Sequence, residues 1–378
     1  MNEPRISGVG ITDFGRFPEL SGEALAQAAI RDALADAGVA SGEVQAYYCG
    51  SAIGALLTGQ RALRELNTHG SAVYNIDNAC ASGATALNLA LQALKAGQHD
   101  TVVVFGVDHE SSLVAGPQDL KQGDWNERRG MDAPALHAMR AMRYMRDHGL
   151  TAATLADVAV KNRRHGVLNP IALLCQQATR EEVLAAPLVA EPLTLLQCCP
   201  SGADGAAALV LTTQPGKGSA APIRLLASVV LSGVFDTGPV DITRAELSAR
   251  AARMAYEQSG LGPNELGLVE LCDAFTISEL LYCEALGLCG PGEAGGLLDS
   301  GATALGGRVP VNPSGGLLAK GHLPGATGVA QVVEICQQLQ GRAGQRQVEG
   351  ARIGLAQVAG GFLWGLDEAA CAIHILSV

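Results

Sequence analysis

The stretch from Cys80 to Gly97, CASGATALNLALQALKAG, reads as a helix opened by small residues, with one thiol just ahead of it. Its apolar positions recur at helical spacing, and the small residues at its start allow close backbone approach. A second stretch, HLPGATGVAQVVEICQQLQG from His322 to Gly341, shares Gly-Ala-Thr at 83–85 and 325–327. That alignment sets His322 opposite Cys80. A strand candidate, nearly continuous in apolar residues, follows each: TVVVFGV at 101–107 and RIGLAQV at 352–358. Upstream, ALAQAAIRDALADAGVASGEVQAYYCGSA from Ala24 matches ELSARAARMAYEQSGLGPNELGLVELCDAF from Glu246, with Gly38 and Glu43 standing where Gly260 and Glu265 stand. The chain reads as one βα-rich unit used twice, an α/β protein with halves at 1–218 and 219–378.

Composition narrows the function. With 378 residues, 48% hydrophobic and 17% charged, and 47 glycines, the chain has the profile of tightly packed α/β layers. Aromatic residues make up 4% and the net charge is -11, which argues against nucleic-acid stacking and against a broad phosphate-binding surface. The ten cysteines form neither a CxxC pair nor a Cys/His ladder, so no metal site is expected. The N-terminus lacks a signal pattern and no apolar run reaches membrane-spanning length. A cytoplasmic enzyme with reduced thiols, acting on small molecules and contacting other proteins, is the expectation.

Two related halves packed about a pseudo-twofold axis bring equivalent positions together, and here those are a cysteine and a histidine. Each would sit at a helix N-terminus, where unpaired N–H groups and the helix dipole lower a thiol's pKa. A thiolate facing an imidazole is a nucleophile with its base.

The chain resembles the thiolase superfamily, and within it the sterol-carrier-protein-type thiolases and their bacterial relatives. The resemblance rests on NACASGA around Cys80, EPLTLLQCCPSGADGAAALVL at 191–211, GATALGGRVPVNPSGGLLAKGH at 301–322, and GATG after it. It implies the five-layered α/β/α/β/α thiolase fold with a lid inserted at about 110–200, a homodimer, coenzyme A as co-substrate with no permanently bound cofactor, and an acyl-enzyme on Cys80. Several bacterial relatives work beside a small OB-fold protein bearing a zinc ribbon, and such a partner is expected here.

The departures bear on chemistry. Where relatives carry Asn-Glu-Ala-Phe or His-Asp-Cys-Phe, this chain has Cys272-Asp273-Ala274-Phe275, so the oxyanion-supporting Asn or His is missing. The second cysteine of thiolases, which moves protons at the α-carbon, is absent too; Ala274 and Gln357 hold its two usual places. Cys272 is the first substitute for that acid and His137, in the lid stretch APALHAMRAMRYMRDHG, the second; Tyr144 and His148 lie on the same stretch. An N–H near Gly360 would pair with that of Cys80 as an oxyanion hole. For coenzyme A, Ser314 and Gly315 would meet the pantetheine arm, and Arg163 and Arg164 in the basic knot Lys161-Asn-Arg-Arg-His165 would meet its phosphates.

The mechanism this implies is thiolytic cleavage of a branched or aromatic β-ketoacyl-CoA, of an aroylsuccinyl-CoA type, or its reverse. Two alternatives stay open. One is acylation of a small phenolic acceptor of the phloroglucinol type; the other is retro-aldol cleavage of the lipid-transfer-like group, which needs no acyl-enzyme.

Overall fold

The computed structural model describes residues 3–112, 130–214, 218, 220–234, 240–363 and 367–378. The strands are β1 (Arg5–Ile11), β2 (Ala46–Gly50), β3 (Ala72–Ile76), β4 (Thr101–His109), β5 (Leu188–Ala190), β6 (Leu193–Thr194), β7 (Asp204–Thr212), β8 (Ile223–Ser232), β9 (Leu268–Glu270), β10 (Ile353–Leu363) and β11 (Asp367–Ser377). The helices are α1 (Gly22–Ala37), α2 (Thr58–Leu63), α3 (Ser82–Lys95), α4 (Ala133–His148), α5 (Ala152–Val167), α6 (Arg180–Ala185), α7 (Glu246–Ser259), α8 (Thr276–Ala285), α9 (Ala294–Asp299), α10 (Gly316–Ala319) and α11 (Pro324–Leu339).

Nine strands run in the order β3-β2-β4-β7-β1-β8-β11-β10-β9, and β5 with β6 forms a separate small hairpin. β1 and β8 join only at Arg5–Arg224 and Ile6–Ile223, so the sheet is two sheets meeting at a corner. On β4, Val103, Phe105 and Val107 face one hydrophobic cluster with α1, while Val102 and Val104 face another with α3 and α11, the alternation a strand buried on both faces requires. α1 and α2 cover the outer face of the first sheet, α3 and α11 fill the space between the sheets, and α7 backed by α8 covers the second. The layers therefore run α/β/α/β/α.

The repeat is visible in fine detail. α1 and α7 both end on a left-handed glycine, Gly38 at φ 64° and Gly260 at φ 71°. Each is followed by a short turn closed by a glutamate: Glu43 Oε2 accepts from the Ala40 N–H at 2.9 Å, and Glu265 Oε2 from the Gly262 N–H at 2.8 Å. We propose the division of the chain at 218/219 because it falls between β7 and β8, the strands that close one unit and open the next.

The central helices approach more closely than side chains permit. A Cβ at Gly83 would stand 2.6 Å from the Gly325 carbonyl oxygen and one at Gly325 would stand 2.6 Å from the Cα of Ser51, so both Gly-Ala-Thr segments need their glycine. The first of these contacts sets the ends of α3 and α11 side by side. Between β4 and β7 the chain makes a long excursion through α4, α5, α6 and the β5–β6 hairpin, the region expected as a lid over about 110–200; residues 113–129 of it lie outside the described residues.

Candidate active site

Cys80 immediately precedes Ala81, the N-cap of α3, and His322 immediately precedes Leu323, the N-cap of α11. The two equivalent positions meet: Cys80 Sγ lies 3.1 Å from His322 Nε2. The repeated threonines hold each side. Thr327 Oγ1 is 3.0 Å from His322 Nδ1 and accepts the Leu323 N–H at 3.2 Å; Thr85 Oγ1 accepts from Asn78 Nδ2 at 3.0 Å on the cysteine loop. With Nδ1–H donated to Thr327, Nε2 presents its lone pair to the thiol.

The electrostatics overturn the expectation of a depressed thiol. Burial pushes Cys80 up to about 12, the nearby Asp108 carboxylate adds to the rise, and the N–H groups of Gly361 and of Cys80 itself act in the opposite direction. Burial likewise pulls His322 down to about 4. The resting pair is thiol and neutral imidazole, because desolvation outweighs the field of one helix end.

Both side chains line a cavity of about 290 Å³, together with Met131, Leu136, His137, Phe275, Tyr282 and Phe362. Its walls are largely apolar and aromatic. His137 is buried, stacks on Phe275 at 4.1 Å between ring centres, and meets Phe362 edge-on at 5.3 Å. Its Nδ1 pairs with the Ala133 carbonyl at 2.8 Å, and burial lowers its pKa to about 3, so it is a neutral imidazole in the wall. The Ser278 hydroxyl, on the same lining, is buried and has no hydrogen-bond partner among the described residues.

Cys272 also lines the cavity, with its S–H 3.8 Å from the Ala359 carbonyl and its peptide N–H donated to Gln357 Oε1 at 3.1 Å. Gln357 does not line the cavity: its amide reaches Ser248 in the core at 3.0 Å, and farther along the same face of that strand Ala359 and Gly361 border the cavity. The N–H directed at the Cys80 sulfur is accordingly that of Gly361, not Gly360. Gly360 serves as a spacer: a Cβ there would stand 2.2 Å from the Asn78 carbonyl oxygen, so only glycine lets β10 pass the nucleophile loop.

Several expected contacts are placed elsewhere. Ser314 is fully buried and gives its hydroxyl to Glu270 Oε2 at 2.7 Å and its N–H to Oε1 at 3.0 Å, which leaves nothing for a pantetheine arm. Gly315 packs on Gly166 of α5 rather than on the cavity. The basic knot is mostly core. Lys161 Nζ is 2.7 Å from Glu279 Oε1, His165 lies between the Asn312 carbonyl at 2.9 Å and the Leu305 N–H at 3.2 Å, and Arg163 is buried with its pKa lowered by desolvation. Arg164 reaches a separate surface cleft beside Arg180 and Asp157. Tyr144 is buried with its hydroxyl on Glu284, the His148 ring lies tilted against it at 4.6 Å, and neither lines the cavity.

The buried charges have a positioning task. Asp273 accepts the N–H of Leu317 at 2.7 Å and the amide of Asn162 at 2.7 Å; Asn162 also reaches Glu279 at 2.8 Å. This network fixes the loop from Cys272 to Phe275. Removing one partner of a buried pair leaves the other charge uncompensated, at a cost of about 3–5 kcal/mol. Lys161→Ala is therefore expected to lower the urea midpoint by that equivalent with an unchanged m value, while the KM for coenzyme A stays within about twofold of wild type. A large KM effect in a normally stable variant would return Lys161 to the ligand.

Sequence reasoning missed Cys199, which lines the same cavity. The doubled cysteine in LLQCCPSG was its one visible signal.

The thiolase N-terminal domain pattern matches residues 6–215 and the thiolase C-terminal domain-like pattern matches 238–373. The chain belongs to the thiolase family. It is 38% identical over 364 residues to benzoylsuccinyl-CoA thiolase subunit BbsB of Thauera aromatica, covering 94% of each chain. To acetyl-CoA acetyltransferase of Methanothermobacter thermautotrophicus it is 36% identical over the full length of both, and to human sterol carrier protein 2 it is 35% identical, covering 93% of this chain and 68% of that one. Among solved structures, the Ltp2-ChsH2(DUF35) aldolase aligns with a TM-score of 0.86 at 26% identity, covering 100% of this chain and 98% of that one. Human mitochondrial 3-ketoacyl-CoA thiolase aligns at 0.74 and 16% identity with the same coverage, which speaks to the fold alone. This thiolase is an acyltransferase-type enzyme with coenzyme A as co-substrate. Among the described residues no helix is long and apolar enough to cross a membrane, and no group of three or more His, Cys, Asp or Glu is placed to hold a metal ion.

Proposed function

We propose that this thiolase cleaves an aromatic or branched β-ketoacyl-CoA, of the aroylsuccinyl-CoA type, through a thioester on Cys80. The observation that carries the reading is the 3.1 Å approach of Cys80 Sγ to His322 Nε2 on the wall of an apolar cavity. His322 takes the thiol proton as sulfur adds to the 3-keto carbonyl, and we assign the oxyanion to the Cys80 and Gly361 N–H groups, a reading supported by their action on the Cys80 sulfur. Carbon–carbon cleavage expels the shorter acyl-CoA as its enolate, which takes a proton from a group in the cavity wall. Coenzyme A then removes the acyl group from sulfur.

The aromatic preference is supported by size and by lining. A cavity of 150 Å³ suffices for benzene, and here about 290 Å³ is walled by Phe275, Phe362, Tyr282 and the His137 ring. A relative named for benzoylsuccinyl-CoA points the same way.

Partner proteins belong to the proposal. One relative is named a subunit, and one neighbouring structure carries two protein names, both of which favour a small OB-fold zinc-ribbon companion. A homodimer is favoured by β3, which edges the sheet and exposes 47% of Tyr74. We place the enzyme in the cytoplasm.

The likeness to an aldolase favours retro-aldol cleavage as the second reading. Intact-mass spectrometry after mixing with benzoyl-CoA, other acyl-CoA esters and β-ketoacyl-CoA esters separates the two. An adduct of acyl mass, absent from Cys80→Ser, is the expected result; turnover with no adduct would favour the aldolase.

A further inference from the structure

Besides Cys80, three cysteines lie at or beside the cavity, and two of them have spent their S–H. That of Cys272 faces the Ala359 carbonyl at 3.8 Å, and that of Cys198 faces the Thr194 carbonyl at 3.4 Å. Cys199 lines the cavity and its thiol forms no hydrogen bond among the described residues. It is held in place through its backbone. The Cys199 N–H donates to the Ala274 carbonyl at 2.7 Å, and Cys198 bridges Phe275, which ties this loop to the one that replaces the usual oxyanion-supporting residue.

We propose that Cys199 is the catalytic acid and base at the α-carbon, in place of Cys272. The inference rests on the acyl-enzyme reading and specifies its second step. The bond between the α-carbon and the keto carbon breaks, and its electron pair stays on the α-carbon as the enolate. The S–H bond of Cys199 then breaks as the new C–H bond forms, leaving a thiolate. The Cys199 thiolate takes its proton back from the His322 imidazolium, and the neutral imidazole then takes the thiol proton of incoming coenzyme A as its sulfur adds to the acyl carbonyl. Cys80 departs as thiolate and recovers its proton from the His322 imidazolium, so every group returns to its starting state.

The protonation states agree with this assignment. Burial raises the Cys199 pKa, and an ionised Cys80 raises it further, so the thiol keeps its proton until a strong base, the enolate, is formed beside it. Cys272 feels the same burial but aims its proton at a carbonyl.

The test separates acyl transfer from α-proton transfer. Benzoylation of Cys80 by benzoyl-CoA is followed by intact mass, and exchange of α-hydrogen in succinyl-CoA and acetyl-CoA is followed by mass spectrometry in D2O. Cys199→Ala is expected to acylate at close to the wild-type rate and to lose exchange by about 10^2–10^4-fold. Acylation in that variant reports an intact site; Cys199→Ser, which keeps the side-chain shape, gives the same split should the alanine variant not fold. Cys272→Ser is expected to retain both activities. Exchange persisting in Cys199→Ala, or lost in Cys272→Ser, overturns the assignment and leaves the acyl-enzyme standing. A wild-type protein that neither acylates nor exchanges with any of these esters takes down both.

Discussion

Cys80→Ala is expected to fold normally and to lose turnover by at least about ten-thousand-fold, the scale on which removal of a covalent nucleophile acts in enzymes whose catalytic groups work as a unit. Little stability should go with it. Cys80 is partly exposed to the cavity, and the loop that carries it is tied independently by the Asn78–Thr85 bond and by Ser82, whose hydroxyl accepts the Asn78 N–H at 2.9 Å. Substitutions that spare core and network usually move stability by about half a kcal/mol, so thermal unfolding should be nearly superimposable on wild type. The comparison to make is steady-state thiolysis against the melting curve, with the acyl adduct as a third reading. Residual turnover within about a hundredfold of wild type would mean that carbon–carbon cleavage proceeds without the sulfur, in line with the aldolase alternative.

His322→Asn should cost about 10^2–10^4-fold in acylation rate, the range in which a positioned general base contributes. Its pH dependence is the sharper measurement. Burial lowers the His322 pKa to about 4 from an ordinary 6.5, so the imidazole is neutral and able to accept a proton at all pH values above about 4. As pH falls, the free-enzyme profile of kcat/KM should hold level through 6.5 and decline only as pH approaches 4. Cys80, pushed up to about 12, should be alkylated by iodoacetamide ever faster as pH rises, with no plateau near neutrality. An acid limb near 6.5, or a thiol already ionised at pH 7, would show that water or a partner chain relieves the desolvation on which both shifts depend.

The parts legible in the sequence were those written twice. Gly-Ala-Thr at 83–85 and 325–327 marks both the glycine contact between α3 and α11 and the threonines that steady the cysteine loop and the imidazole. Since Cys80 and His322 each stand one residue before a helix cap, the repeat alone was enough to bring them together. Burial depth was not legible. KNRRHG reads as a charged surface, yet Leu155, Val158 and Ala159 turn α5 so that Lys161 and His165 point into the core, where Glu279 and Asn312 receive them. The helix-end argument for a depressed thiol failed for the same reason: a sequence shows where a helix begins but not how little water reaches it. Cys199 lay hidden because its place depends on a contact between two loops, through the Ala274 carbonyl, that no periodicity encodes.

The glycine contact between α3 and α11 also imposes a schedule on synthesis. The thiol leaves the ribosome long before the imidazole does, and the stretch that aims an amide at the sulfur, around Gly361, comes later still. A half-made chain therefore carries a cysteine with no proton acceptor and no closed chamber. Reactivity arrives only with the last strands, and a truncated product would have the nucleophile without the means to use it.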